Sequence, residues 1–451
     1  MKIQKQVRLI EGPILKSLTG LAVPIMISSF LGTLYNITDM AWIGLLGSKA
    51  VAAVGVGGMY VWLSQGLASL ARMGGQVHVA QCLGRGDKEQ AHRYAKTAVQ
   101  LSILLGLAFA AVSLLFTDPL VAFFKLEGAK TILDAKIYMR ITCGLILFSF
   151  LNLTLTGLYT AQGDSKTPFV ANFIGLLINL LLDPLLILGV GPFPRIEVAG
   201  AAVATVSAQF VVMFVMMVGV FRSKKEENVL KGIRLFEPFS KEELGNICKI
   251  GGPTAIQGMV YCMISMVLTR MVAAFGAEAI ATQRVGGQIE SVSWNTADGF
   301  AAALNAFVGQ NYGAKKMDRV QKGYRISFWT VAIWGALIML AFIIFPGPIA
   351  GVFFHEEKAM EIAISYLIII GFSEAFMCVE LMTIGALSGL GKTKLCSVIS
   401  ITATSMRIPL AMVLSRTSLG LDGIWWALTL TSVAKGIIFY LTFRYQMHEK
   451  C

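Results

Sequence analysis

Charge is scarce in this chain: 14% of its 451 residues are charged, while 56% are hydrophobic. Soluble domains carry about 25% charged residues, so a soluble globular fold is excluded and an integral membrane protein is predicted. Paired cysteines are missing as well. The seven cysteines (82, 143, 248, 262, 378, 396 and 451) are scattered without CxxC or Cys/His spacing, which excludes a disulfide framework and a zinc site. Histidine occurs only at 78, 92, 355 and 448, and no HExxH, GxSxG or DDxxD is present. With the common hydrolase and metalloprotease signatures absent, the chain is not expected to be an enzyme and needs no cofactor beyond a coupling ion. The N-terminal "MKIQKQVRLIEGP" leads into an apolar run without an A-x-A site. That run is expected to stay as a first helix and not to be removed as a signal peptide.

What the chain has in abundance is long apolar runs. A helix needs about 20 apolar residues to cross a hydrocarbon core of about 30 Å. Twelve such runs are centred at roughly residues 30, 65, 107, 148, 179, 209, 262, 294, 336, 376, 404 and 432, and each is too long and uniform for a barrel strand. The fold class predicted is an all-α polytopic membrane protein with twelve transmembrane helices. The connecting segments alternate in charge. "RGDKEQAHRYAK" (85–96), "GDSKT" (163–167), the stretch 222–249, "AKKMDRVQKGYR" (314–325), "GKTK" (391–394) and both ends are basic, whereas the other connections hold isolated cations. The positive-inside rule puts the basic side and both termini in the cytoplasm of a cell inner (plasma) membrane. It also absorbs most of the net charge of +12, so nucleic acid is not an expected partner.

An internal repeat runs through the chain at an offset of 229 residues. Pro24 matches Pro253, Gly47 matches Gly276, "VGG" at 56–58 matches 285–287, and "QCLG" at 81–84 matches "QNYG" at 310–313. Gly163 matches Gly391 at an offset of 228. The organisation predicted is an N-terminal six-helix lobe (1–221), a cytoplasmic linker (222–250) and a C-terminal six-helix lobe (251–451). Six is even, so a pseudo-two-fold along the membrane normal should relate the lobes. Within the linker, "FEPFSKEEL" reads as a short amphipathic helix on the membrane surface, with Ser240 as its N-cap.

From Ile14 to Leu46 the only charged residues are Lys16 and Asp39. A carboxylate inside the hydrocarbon costs at least about 2.5 to 3.5 kcal/mol on insertion scales, which makes Asp39 a functional-site candidate. At 1.5 Å per residue, Asp39 lies about 35 Å from Lys16 and Asp183 about 25 Å from Lys166, both in the outer half of the membrane. Thr205 reaches a similar level, and Asn152 sits closer to the midplane. Asn36 with Asp39, and Asn179 with Asp183, share helix faces at i, i+3 and i, i+4. Four helices can therefore direct Asp39, Asp183, Asn179, Asn36, Asn152 and Thr205 into one pocket. Its oxygens suit Na⁺, and its two carboxylates equally offer a place for a proton. The plainer reading of Asn152 and Thr205 is polar packing between helices. Pro24, well before Asp39 on the same helix, and Pro184, directly after Asp183, each remove a backbone hydrogen bond and read as hinges or as static kinks. In the second half Arg407 stands before Pro409, which suggests that only the first half keeps an acidic pocket. The other intramembrane charges there, among them Glu290, Asp298, Glu374, Glu380 and Lys435, read first as internal ion pairs and second as part of a substrate cavity. Met259 and Met263 would add an adaptable surface to such a cavity.

"VGQNYGA" (308–314), "GDSKTP" (163–168), "NLLLDP" (179–184) and the proline of the first helix, set in a duplicated six-helix frame, resemble the multidrug and toxic compound extrusion (MATE) exporters over essentially the whole chain. Asp39 with Asn179 and Asp183 is similar to the pattern of the DinF-like branch. The resemblance implies a two-lobed, V-shaped secondary antiporter, expected as a monomer in the lipid bilayer. It would export amphipathic, cationic drugs or metabolites in exchange for H⁺ or Na⁺ by rocking-type alternating access. A lipid-linked saccharide flippase of the same superfamily and a membrane-embedded lipid-modifying enzyme are the alternatives.

Overall fold

The computed structural model of the protein describes residues 7, 9–189, 194–223, 228–235, 237, 238, 240–354 and 356–448. The described residues are helical throughout, apart from turns and short connections. The first half of the chain forms α1 (Ile14–Gly44), α2 (Ser48–Arg85), α3 (Lys88–Leu115), α4 (Thr117–Ala122), α5 (Ala129–Gly144), α6 (Leu147–Ala161), α7 (Lys166–Ile187) and α8 (Glu197–Arg222). The second half repeats the order as α9 (Lys241–Ala273), α10 (Ala277–Gly313), α11 (Met317–Ile344), α12 (Pro346–Gly351), α13 (Glu357–Gly371), α14 (Glu374–Gly389), α15 (Thr393–Ser405), α16 (Arg407–Leu414) and α17 (Leu421–His448).

Among the described residues nine spans, α15 and α16 counting as one, are long and apolar enough to cross a membrane. Two more spans are pairs bent at a short break, α5 with α6 by 43° and α13 with α14 by 50°. Both breaks follow a glycine, Gly144 and Gly371, where the helix is cheapest to interrupt. The twelfth span is α10, which at 37 residues is long enough to cross but carries Glu278, Arg284, Glu290 and Asp298 and so falls short in hydropathy.

Glycines explain why the repeat survives in the backbone. Gly47 and Gly276 precede α2 and α10 with φ of 103° and 113°, in the left-handed region that glycine occupies without strain. Gly57 and Gly286 each lie so close to a tyrosine ring, Tyr138 and Tyr366, that a Cβ would overlap it. The same slot is thus built twice.

The chain divides into two compact units, and the division falls inside helices and not in the linker. One unit contains Ile27–Gly258; the other contains Arg8–Met26 with Met259–Cys451. In the first unit, the start of α9 crosses α2 where a Cβ on Gly251 would strike the Leu70 carbonyl and one on Gly74 the Ile247 carbonyl at 2.5 Å. In the second unit, the start of α1 crosses α10 where Gly299 admits the Met26 side chain. Leu70 and Gly299 are repeat equivalents, as are Ala22 and Gly251, so the crossing is the same and the glycine has changed partners.

The segment 241–250 differs from the separate amphipathic helix read from sequence. It is the first part of α9, which runs unbroken to Ala273, because nothing between Lys241 and Gly251 interrupts it and Pro253 is accommodated inside the helix. Ser240 does take the position before the helix, its carbonyl accepting from Leu244 N at 3.0 Å; Phe236 and Phe239 lie outside the described residues. The described part of the linker is tied to the first unit. His92 Nδ1 is 2.6 Å from the Val229 carbonyl, Gln162 Oε1 accepts from Val229 N at 3.0 Å, and Gln100 Nε2 donates to the carbonyls of Leu235 and Glu237 at 2.9 and 2.7 Å. Asn246 donates to the Tyr94 hydroxyl at 2.9 Å, and that ring stacks on His78.

Candidate functional site

In the first unit the outer part of α1 meets α5, α7 and α8. Asp183 on α7 is fully buried and Asn179 nearly so, at 0% and 1% exposure, while Asp39 on α1 is buried at 8%. One turn of α7 lets Asn179 Nδ2 donate to Asp183 Oδ1 at 3.3 Å, the geometry expected of i, i+4 neighbours. The remaining oxygens matter most: Asp39 Oδ1 and Asp183 Oδ2 are buried without a hydrogen-bond partner. The two carboxylates lie within each other's electrostatic reach. A buried polar atom without a partner is rare in a native structure and calls for an explanation.

Two tyrosines missing from the sequence-based set belong to this group. Tyr35, one turn before Asp39, donates its hydroxyl to Thr205 Oγ1 at 2.8 Å and so ties α1 to α8. Tyr138 on α5, held in the Gly57 slot, is within electrostatic reach of both Asp39 and Asp183. Tyrosine is unremarkable in an apolar run, but its repeat-matched counterpart at Tyr366, beside a matched glycine, was a signal that could have found it. On one side the group is closed by Ile43, Val54, Ile187, Val198, Ala201 and Ala202, which pack with Tyr138.

The other predicted members stand apart from this group. Asn152 donates to the Gln209 carbonyl at 2.9 Å, joining α6 to α8, which is the packing role foreseen for it. Asn36 is exposed on α1. Pro24 and Pro184 lie inside α1 and α7, which continue through them; Pro24 is within three residues of the point where α1 passes from one unit to the other.

Among the described residues no group of three or more His, Cys, Asp or Glu side chains is arranged to hold a metal ion. The donors that are present, two carboxylates with an amide and hydroxyls, are hard oxygens at low total charge. That set fits a proton or a single monovalent cation.

The second unit corrects the expectation that only the first half keeps an acidic pocket. It buries Glu374 at 0% and Glu380 at 4% exposure, with Glu290 half-buried. Tyr366 donates to Glu290, and Ser293 donates to Glu374. Lys435 pairs with Glu380 at 2.7 Å, so the ion pairing read from sequence holds for these two. Arg407 is buried and donates to Thr431 and Ser432 at 3.0 and 2.9 Å. The acids come from α10 and α14 here and from α1 and α7 in the first unit, which is why the offset of 229 did not align them. Asp298 is half-buried on α10, Met259 is half-buried and Met263 is 61% exposed on α9.

Comparison with known proteins agrees with this frame. The MatE family profile matches residues 24–185 and again 253–413, two stretches whose starts are 229 residues apart. The chain is 30% identical to the probable multidrug resistance protein NorM of Thermotoga maritima, over 91% of this chain and 88% of that one. It is 25% identical to an FAD transporter of Shewanella oneidensis, over 96% and 95% of the two chains. Among solved structures it superposes with a TM-score of 0.88 on a MOP superfamily transporter from Pyrococcus furiosus, at 25% identity and 99% coverage of both chains. These matches, nearly complete in length, carry the twelve-span, two-lobed architecture.

Proposed function

The chain belongs to the MatE family of membrane transporters, and on that premise we propose that it is a secondary antiporter of the inner (plasma) membrane with both termini in the cytoplasm. It exports amphipathic, cationic drugs or metabolites in exchange for H⁺ or Na⁺ and alternates its access by rocking. The observation that carries this reading is the pair of orphaned carboxylate oxygens on Asp39 and Asp183, buried beside Asn179, Tyr35 and Tyr138. Such a pair cannot stay doubly charged in a low-dielectric interior without a counter-ion, so the stable states are those with a cation bound or with the pocket opened to water. A ligand that binds one conformation better shifts the equilibrium by its differential affinity. An ion that binds only when the pocket is closed therefore drives the conformational change that exports the substrate. Asn179 orients Asp183, Tyr35 and Thr205 hold α1 against α8, and Pro24 is the position at which α1 bends.

The combination of Asp39, Asn179 and Asp183 supports placement in the DinF-like branch. The same acids count against the lipid-linked saccharide flippase, whose anionic cargo they would repel.

In proteoliposomes with an imposed ion gradient, Asp39→Asn is expected to abolish uphill efflux of a cationic dye while leaving the protein monodisperse. Efflux at the level of the unaltered chain would sink the coupling role. Imposing Na⁺ and H⁺ gradients one at a time on the unaltered chain identifies the ion.

A further inference from the structure

By the repeat offset, Arg93 and Lys96 on α3 correspond to Lys322 and Arg325 on α11. In the first unit both cations are matched. Arg93 pairs with Glu89 and Glu243 at 3.2 and 3.3 Å, and Lys96 pairs with Glu237 of the linker at 2.8 Å. In the second unit Lys322 and Arg325 are exposed, as is Arg444 near the end of α17. Among the described residues no carboxylate pairs with any of these three. The hydrogen bonds of the N-terminal segment stop short of them. The Leu9 carbonyl accepts from Asn311 and Arg319, and the Ile10 carbonyl from Lys316, none beyond the first turn of α11. Gln100, which anchors the linker through the carbonyls of Leu235 and Glu237, corresponds to Trp329, which is 58% exposed. The face that an acidic strap covers on α3 is therefore open on α11.

Aromatic side chains join that face to α17. Tyr324 stacks on Phe443 with ring centroids 3.6 Å apart, which brings the next residue of each helix, Arg325 and Arg444, to one level. Phe328 packs on Tyr440 at 5.1 Å and on Trp329 at 5.5 Å. The Arg444 guanidinium lies over the Tyr440 ring, 6.0 Å from its centroid. Past Trp329 the same face of α11 continues as exposed Ile333 and Leu337, each one turn further on. The positive-inside rule accounts for cations at this end of a span. It does not account for three unmatched cations converging where the repeat-matched pair has been neutralised. Cations, then an aromatic belt, then an apolar stripe follow the order of phosphate, glycerol and acyl chain in a lipid leaflet.

We propose that the cytoplasmic ends of α11 and α17 form a binding site for an anionic glycerophospholipid. Its phosphate is held by Lys322, Arg325 and Arg444, and an acyl chain lies along Trp329 and Ile333. Guanidinium forks suit phosphate oxygens, and a zwitterionic headgroup is disfavoured because its own ammonium adds a fourth positive charge. The site goes beyond the antiport reading and does not depend on it.

The test uses the full chain in phosphatidylcholine nanodiscs doped with phosphatidylglycerol that carries a photoreactive acyl chain, with labelled peptides mapped by mass spectrometry. Label should appear on α11 around Trp329 and on α17 around Leu441, and a phosphatidylcholine probe with the same acyl chain should label them at least about tenfold less. Each cation beside an anionic lipid is worth about fivefold in binding. Lys322→Gln with Arg325→Gln should therefore cut the labelling at least about tenfold, while Arg93→Gln with Lys96→Gln should leave it unchanged. Labelling that survives the first pair of substitutions, or falls equally with the second, overturns the proposal. So does equal labelling by the two probes. Inorganic phosphate should not compete; competition would mark a site for a soluble anion and overturn the lipid assignment. Should the α11 variant fail to fold, Arg444→Gln serves in its place: labelling should fall about fivefold, and no change overturns the proposal equally. The readout needs no ion gradient, so a failed efflux assay and a failed lipid site remain distinguishable.

Discussion

At Gly57 an added methyl group would run into the ring of Tyr138, and at Gly286 into that of Tyr366. Each tyrosine faces the buried acids of its own unit, so the missing side chain positions a hydroxyl that the sequence alone does not connect to any carboxylate. Overpacking of this kind costs about 1 to 3 kcal/mol. Gly57→Ala should accordingly lower the thermal unfolding midpoint in detergent and slow ion-driven efflux, and adding Tyr138→Leu should restore the midpoint without restoring efflux. Recovery of both would mean that the tyrosine only fills space. Asp39, Asp183 and Asn179 were legible as single residues, because a charge inside an apolar run has few structural excuses. Tyr35 and Tyr138 were not, since an amphipathic ring is ordinary in such a run and only its partner across the fold gives it a role.

Among the elements, α10 and α17 were the hardest to read. Their charges were visible, but which charge meets which depends on the packing of α10, α14, α16 and α17, and no spacing within one helix encodes that. The Lys435–Glu380 pair offers a direct test. Removing one partner of a buried pair costs about 3 to 5 kcal/mol, whereas replacing both with apolar groups is often neutral. Lys435→Met should therefore destabilise the chain markedly, and Lys435→Met with Glu380→Met should recover most of the loss in the same unfolding assay. The linker is the other element that differs from its sequence reading: the described part is a strap bonded to α3 and to Gln162. Gln162→Ala removes the acceptor of Val229 N and should speed hydrogen exchange at that amide while leaving exchange in α2 unchanged. Along the strap, the hydrogen bond and charge of Lys96 hold the Glu237 carboxyl below the usual glutamate range. A lowered value means that the contact persists at neutral pH and is lost only as pH falls into the acid range. Exchange near residue 237 should rise there in the unaltered chain, and Lys96→Ala should abolish that rise.

For the molecule as a whole, the twelve spans and the duplication were legible because apolar length and matched Pro and Gly are properties of the chain itself. The boundary between the units was not, because the linker is the most polar stretch and polarity suggests a hinge between independent bodies. The boundary instead lies at Met26 in α1 and Gly258 in α9, where the sequence carries no charge. A fragment beginning at residue 251 lacks Arg8–Met26, whose Met26 fits against Gly299. Expressed alone, it should be recovered aggregated, and a fragment ending at residue 221 should fare no better for want of the α9 segment that crosses α2. Co-expression of the two should yield a complex with the summed mass of the two fragments by native mass spectrometry, and two separately stable fragments would contradict the assignment. The duplication that made this chain has thus become irreversible. Once each copy completed its partner's interior with its own first segment, no later deletion could return two halves that each fold alone, and substitutions at positions such as Gly251 and Gly299 are answerable to the copy they were not born in.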